Sequence, residues 1–314
     1  VTFCIHSKIL KSYRYIFQRT NLDRFLTRSM ASLSTSAVSA VGPFTGTSDA
    51  LFAIIERMQQ KHRSTSPSQW GRFLDAGTGA HSLTWVRKLP LISWTAITAD
   101  PQMKTTVERE VSVPGSEEAQ GEIVLGNWDD ENLLNGKKYE VVLADYLIGS
   151  MDGFSPFKQD LIFDRLKKHI DPETGILYII GLEPVPYDEH HPADVICDVV
   201  RMRDACILLA GHRCYREYPM TWVERMLVAH GFEVLETEKL PILYSEHSIR
   251  RQLNVARSKL PLFKDRGLAS TMKISIDALD GRMKALVHNA PNSRIRQGFD
   301  YVIAAQLLKP DMTN

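Results

Sequence analysis

The chain has 314 residues, 44% hydrophobic and 24% charged, with a net charge of +1. That is the composition of an ordinary globular protein of one large domain, or one domain with an extension. It excludes a transmembrane helix, because no apolar run approaches ~18 residues, and it gives no electrostatic case for a nucleic-acid or membrane partner.

The first 47 residues differ from the rest. They carry Lys8, Lys11, Arg14, Arg19, Arg24 and Arg28 against Asp23 alone, which leaves 32 basic and 36 acidic residues, a net of −4, over 48–314. A basic, Ser/Thr-rich, acid-poor start looks like a mitochondrial or plastid targeting segment. The other reading is that Met30, which opens MASLSTSAVSA, is the true start and the protein is cytoplasmic. Either way 1–47 is set apart from a domain spanning 48–314. The four cysteines, Cys4, Cys197, Cys206 and Cys214, have no CxxC spacing. No structural zinc site is expected, and Cys197 and Cys206 read as small core residues of a reduced protein.

Residues 49–62 have a helical apolar stripe at Leu51, Ile54, Ile55 and Met58, capped by Ser48 or Asp49. A strand, RFLDAG, follows, and then helices and strands alternate. Helices are expected at LTWVRKL, MKTTVEREVS, FKQDLIFDRLKKHI, DVICDVVRMRDACILLAG and TWVERMLVAHG, the last closed by Gly231. Strands are expected at SWTAITAD, GEIVLGNWD (ending near Asn127), KYEVVLADYLIG (ending near Asp145), GILYIIGLEP, FEVLETEKLP and GFDYVIAAQLL. Alternation of this kind predicts an α/β three-layer sandwich around a mostly parallel sheet covered on both faces. Residues 244–296 exceed a usual loop and are predicted to form a helical insertion before the last strand, acting as a lid or a dimer contact.

In such a sheet, ligands bind beyond the carboxyl ends of the strands at the switch point. The first strand of the unit ends at Asp75, and Gly77 and Gly79 follow. Without Cβ atoms they permit positive φ and close approach of a ligand to the backbone. A pyrophosphate reader would be spelled G-x-G-x-x-G or A, but Ser82 holds the third small position. An anion at Asp75 disfavours pyrophosphate and favours a ligand carrying ammonium and sulfonium charge. Asp100 ends the next strand, where a carboxylate can accept both ribose hydroxyls.

DAGTG, Asp100 after the second strand, GNW after the third and a last strand GFDYVIAA together resemble the class I S-adenosylmethionine-dependent methyltransferases, over residues 49–308. The resemblance implies a seven-stranded Rossmann-like sheet whose last strand runs antiparallel between strands five and six. It also implies S-adenosylmethionine as cofactor. Asp75, Gly77 and Gly79 would line the methionine moiety and Asp100 would bind the ribose. Asn127 would bond the adenine, Trp128 would stack on it, and Asp145, Tyr146 and Leu147 would lie beside the methyl group. His81 departs from the pattern, where the family more often has a small residue.

The acceptor is less legible. Asp145-Tyr146-Leu147-Ile148 does not match the N/D-P-P-Y/F element of amino-group methyltransferases acting on bases or glutamine. The net charge of 48–314 also argues against DNA or RNA. A small molecule methylated at oxygen or thioether sulfur is expected. For oxygen, His190 or His191 is the candidate base; for sulfur, Tyr146, Trp128 and nearby acids would stabilise a cationic product. Tyr187, Arg213, Arg216 and Tyr218 are the candidate acceptor contacts, the arginines for a carboxylate. No metal ligand set is expected. The alternatives are a non-catalytic binding protein and a nucleotide-dependent enzyme of another class on the same fold.

Overall fold

The computed structural model describes residues 47, 49–63, 70–111, 120–185 and 194–309. In chain order the elements are α1 (Ala50–His62), β1 (Gly71–Asp75), α2 (Ala80–Val86), β2 (Leu91–Thr98), α3 (Pro101–Val111), β3 (Gln120–Leu125), β4 (Val141–Asp145), α4 (Leu147–Phe154), α5 (Leu161–Lys167), β5 (Ile176–Leu182), α6 (Asp194–Leu209), α7 (Met220–Ala229), β6 (Phe232–Tyr244), α8 (Glu246–Lys259), α9 (Arg266–Asn289) and β7 (Ile295–Leu307). No helix among the described residues is long and apolar enough to cross a membrane.

The seven strands lie in the order β3-β2-β1-β4-β5-β7-β6. The pairs from β3 through to β5 are parallel, and β7 runs antiparallel to both β5 and β6. The last strand is therefore inserted where the family resemblance implies. β1 has β2 on one side and β4 on the other, so the chain reverses its direction of travel across the sheet between them. That crevice is the topological switch point.

Period-two alternation divides the inner strands between two cores. Leu74, Val142, Ala144, Leu177, Ile179, Tyr301 and Ile303 face one core, completed by α4, α5 and α7. Phe73, Val141, Leu143, Ile176, Tyr178, Ile180 and Val302 face the other, completed by α1, α2 and α3. Both sets are buried, which is why these strands read as continuous apolar runs. A third core joins α6, α8 and α9 through Val199, Cys206, Leu253, Ile276 and Met283. Cys197, Cys206 and Cys214 are buried thiols.

Local signals account for most boundaries. Asp49 accepts from the Leu51 and Phe52 amides and starts α1. Ser245 and Ser248 form a capping box at α8. Gly231, at φ +80°, follows the end of α7. One boundary differs from the sequence reading. The helix expected over 157–170 is confined to Leu161–Lys167, because Phe157 has positive φ and turns precede Asp160. The fourth strand stops at Asp145, where the sequence reading ends it, and α4 begins at once. Leu147, Ile148 and Met151 bury one helical face there, and a short apolar run of this kind carries no period that separates strand from helix.

Candidate functional site

The carboxyl ends of β1, β2 and β4 open into a cavity of about 710 Å³. Its floor is the Ala76–Gly79 turn, and Asp100, Met103, Gly126, Asn127, Trp128 and Phe154 line one end. Asp145, Tyr146, Asp300 and Glu217 line another part, and Tyr215, its hydroxyl raised first by burial and then by the nearby Asp100 carboxylate, lines the wall between them. An adjoining pocket of about 220 Å³ continues from it, between Leu182, Ile196, Val199, Arg203, Arg216 and Ile249. Leu182, Arg203, Tyr215, Glu217, Tyr244 and Gln252 belong to both spaces.

The glycine turn is built from backbone hydrogen bonds that cross the sheet. Ala76 N–H donates to the Leu143 carbonyl at 2.8 Å and Thr78 N–H to the Ile97 carbonyl at 2.7 Å. Neither Gly77 nor Gly79 has positive φ, contrary to the expectation from sequence. Their need is for space. A Cβ on Gly77 would stand 3.0 Å from Leu147 Cδ1, whereas at Gly79 nothing lies within 4 Å. Gly79 thus leaves room for ligand atoms against the backbone at the start of α2. The residue in the left-handed region is Tyr146, at φ 48° and ψ 23°. A bulky aromatic held there between β4 and α4 is a sign of a built site.

Asp75 lies behind the cavity wall rather than on it. It is fully buried, accepts from the Ser82 hydroxyl at 2.7 Å and receives the Gly77 N–H at 3.4 Å. Burial pushes its carboxyl up to about 6, against the pull of those hydrogen bonds. Asp75 therefore shapes the turn and adds negative field without touching the cavity. Asp100 does line it. One of its oxygens accepts the Gln102 N–H at 2.8 Å, and the other makes no hydrogen bond among the described residues.

Two adenine contacts expected from the resemblance are committed elsewhere. Asn127 donates to the Phe154 carbonyl at 3.1 Å, and its amide oxygen accepts from Asp129 N–H and Ser155 Oγ. Trp128 is 6% exposed and its indole N–H donates to the Ala76 carbonyl at 2.6 Å. Both residues border the cavity, but their polar groups hold the loop after β3 against the glycine turn. Phe154, half-exposed at the rim, is the aromatic surface that the sequence reading missed.

Acids gather at the other end. Burial first, then Asp75, Asp49 and Asp300, raise the Asp145 carboxyl to about 7. Burial also raises Asp300, partly offset by the hydrogen bond it accepts from Tyr146 Oη at 2.8 Å. Burial and Asp300 together hold the Tyr146 hydroxyl protonated well above its ordinary range, so it acts as a donor. Carboxyls raised chiefly by burial, with Asp145 raised further by its acidic neighbours, mark a candidate ligand site.

The candidate acceptor contacts separate. Arg216 lines the smaller pocket, 3.8 Å from Asp204. Arg213 lines neither space: its guanidinium bonds the Asp152 carboxylate and carbonyl at 3.0 Å and lies over the Phe157 ring. Tyr218 packs on Trp222 and offers its carbonyl to Tyr301 Oη, outside both spaces. His81 bonds Asp49 at 2.8 Å. Tyr187, His190 and His191 fall outside the described residues. Instead, Tyr215, Glu217, Arg203, Gln252 and Tyr244 line the junction, and Asp300 lines the larger space beside it. Asp300 had a sequence signal, as an acid in an otherwise apolar strand end. Among the described residues no group of three or more His, Cys, Asp or Glu side chains is arranged to hold a metal ion.

No protein-family model and no curated protein matches the sequence. Solved structures are similar. A candidate methyltransferase from Bacillus halodurans has a TM-score of 0.50 at 12% identity, over 80% of this chain and 98% of that one. The YcgJ protein of Bacillus subtilis has a TM-score of 0.47 at 14% identity, over 81% and 98%. The cyclopropane synthase MmaA2 from Mycobacterium tuberculosis has a TM-score of 0.46 at 14% identity, over 81% and 84%. At such identities the likeness is one of fold, and it rests on the first of the three. The strand order, the antiparallel β7 between β5 and β6 and that likeness give the chain the Rossmann-like fold of class I methyltransferases.

Proposed function

We propose that the protein transfers the methyl group of S-adenosylmethionine to a small-molecule acceptor, at oxygen or thioether sulfur, and that the acceptor is a small carboxylate. The observation that carries this reading is the cavity at the switch point, with an open glycine turn and a partner-free Asp100 oxygen at one end and raised carboxyls at the other. A pyrophosphate would meet those anions unfavourably, whereas a ligand with sulfonium and ammonium charge relieves their repulsion.

S-adenosylmethionine supplies a methyl group already activated by positive sulfur. The chain's own residues then have binding and alignment to perform. Asp100 would accept from the ribose hydroxyls through its free oxygen. The Ala76–Gly79 backbone, with the empty space over Gly79, would receive the amino-acid end. Asp145 would face the cationic centre. Phe154 and Met103 would flank the adenine, with the loop held by Asn127 and Trp128 as its wall. Arg216 suits an acceptor carboxylate: its pocket has an apolar wall of Leu182, Ile196, Val199 and Ile249, and its ion-pair partner among the described residues, Asp204, is distant and shared with Arg203.

The test is a screen of small carboxylates bearing hydroxyl or thioether groups, with methyl-labelled S-adenosylmethionine and the full chain. Labelled product is expected, with Arg216→Ala raising the acceptor KM about tenfold or more. Cofactor binding without transfer to any acceptor would instead favour a binding role.

A further inference from the structure

Glu217 stands where the two spaces meet and lines both. Its carboxylate packs over the backbone of α4: a Cβ built on Gly149 would stand 2.7 Å from Glu217 Oε2 and 3.1 Å from the Arg216 carbonyl. The segment that carries it is tied down on both sides. Arg216 N–H donates to the Gly149 carbonyl at 3.4 Å, and Met220 N–H to Glu183 Oε1 at 3.3 Å. The neighbouring acids have partners: Asp75 has Ser82, Asp300 has Tyr146 and Asp204 has Arg203. Glu217 and Asp145 have neither hydrogen bond nor ion pair among the described residues, and of these two only Glu217 reaches the smaller pocket.

The charged and titratable groups facing Glu217 come from every element around it. They are Arg203 and Asp204 of α6, Tyr244 of β6, Asp300 and Tyr301 of β7, Tyr146 before α4 and Arg216 on its own segment. Burial raises the Glu217 carboxyl to about 7, with Arg203 opposing and Asp300 and Asp204 adding to the rise. A carboxyl held there exchanges protons near neutrality.

Resting on the methyl-transfer reading, we propose that Glu217 is the base of the reaction and that the acceptor is a phenolic or enolic hydroxyl rather than a thioether. The acceptor O–H bond breaks and its proton passes to a Glu217 carboxylate oxygen. The electron pair left on oxygen forms the O–CH₃ bond, while the pair of the S–CH₃ bond departs with sulfur. Carboxylate, sulfonium and hydroxyl thus become carboxylic acid, thioether and methyl ether, with charge balanced, and water then takes the proton. Thioether sulfur has no proton to lose and no use for such a base.

A binding experiment tests this without any acceptor. Sinefungin carries a protonated amine where S-adenosylmethionine carries its methylsulfonium, so the amine reports on what faces the transferring methyl. The full-length wild type at pH 8 is expected to bind sinefungin about tenfold more tightly than S-adenosylhomocysteine. Glu217→Gln is expected to lose a measurable part of that preference, Asp145 retaining the rest, while binding S-adenosylhomocysteine as the wild type does. Because Glu217 has no hydrogen bond or ion pair among the described residues and its burial disfavours the ionised form, the substitution should not lower the thermal midpoint at pH 8, and Glu217→Asp should restore part of the preference. With a hydroxyl acceptor from the screen, Glu217→Gln should lower kcat about 100-fold or more and abolish the rise in kcat through pH 7. An unchanged sinefungin preference in Glu217→Gln, or thioether methylation by wild type and variant alike, would overturn the proposal. Failure of the wild type to bind any of these nucleosides would overturn the methyl-transfer reading itself.

Discussion

The two ends of the cavity are made differently. The end beneath Gly77, Asp100 and Trp128 comes from the turns that follow β1, β2 and β3, within residues 76–128, and the glycine turn there is held by backbone hydrogen bonds. The acceptor end is assembled from α4, α6, the irregular segment 212–219, β6, α8 and β7, elements that meet only in the tertiary structure. In the first, topology alone puts the ends of adjacent parallel strands side by side, so a ligand site follows from strand order. In the second, long-range packing decides which side chains meet.

If the first end holds the cofactor, Asp100→Ala should give the largest change. Loss of a charge-assisted contact to the ribose is expected to weaken S-adenosylmethionine binding about 100-fold, ~2.7 kcal/mol, beside a smaller loss of stability, ~1 kcal/mol, from the Gln102 N–H that loses its acceptor at the start of α3. An unchanged Kd would remove the ribose role. Tyr146→Phe probes the seam between the ends. It strips Asp300 of its hydrogen bond, and unfolding in urea should show a loss of ~1–3 kcal/mol. No loss would mean that water replaces the hydroxyl.

The pH response is next in size. Asp75 and Asp145 titrate at about 6 and 7 in the folded protein, above the unfolded values. The folded state therefore holds their protons longer, and this stabilisation is complete below the unfolded values and is lost as pH rises through 6 to 7. The free protein should melt lower at pH 8 than at pH 5.5. A cationic cofactor favours the ionised acids, so its affinity should rise over the same interval, by at most ~tenfold per pH unit for one group, with release of protons. Calorimetry in buffers of different ionisation enthalpy reads that release, and its absence would contradict the electrostatic account. The smallest effect belongs wholly to the acceptor side. Ser245→Ala removes the cap of α8 and should cost ~1 kcal/mol of stability while leaving the S-adenosylmethionine Kd untouched.

The same contrast explains what the sequence made legible. Asp75, Gly77, Gly79 and Asp100 stand at fixed offsets from strand ends, so their placement could be read before the fold was known. The apolar runs VVLA and LYII announced strands buried on both faces, and GFDYVIAA the final strand. Fine roles were harder even there. Nothing in Asn127 or Trp128 shows that their polar groups bond Phe154 and Ala76. The strand end near Asp145 was legible, but nothing in Tyr146 shows the left-handed backbone that ends β4 and starts α4. At the acceptor end, residues 212–219 are neither helix nor strand, so no period says which side chains face inward. Arg213 and Glu217 are equally plausible from composition, but Asp152 engages the first and the cavity receives the second.

Titration of S-adenosylmethionine into the full-length protein tests the central claim most directly. Saturable binding in the micromolar range, about −8 kcal/mol, is expected, with no binding of NAD. A folded protein that gives no heat with S-adenosylmethionine, or that binds NAD instead, would contradict the assignment of the cavity.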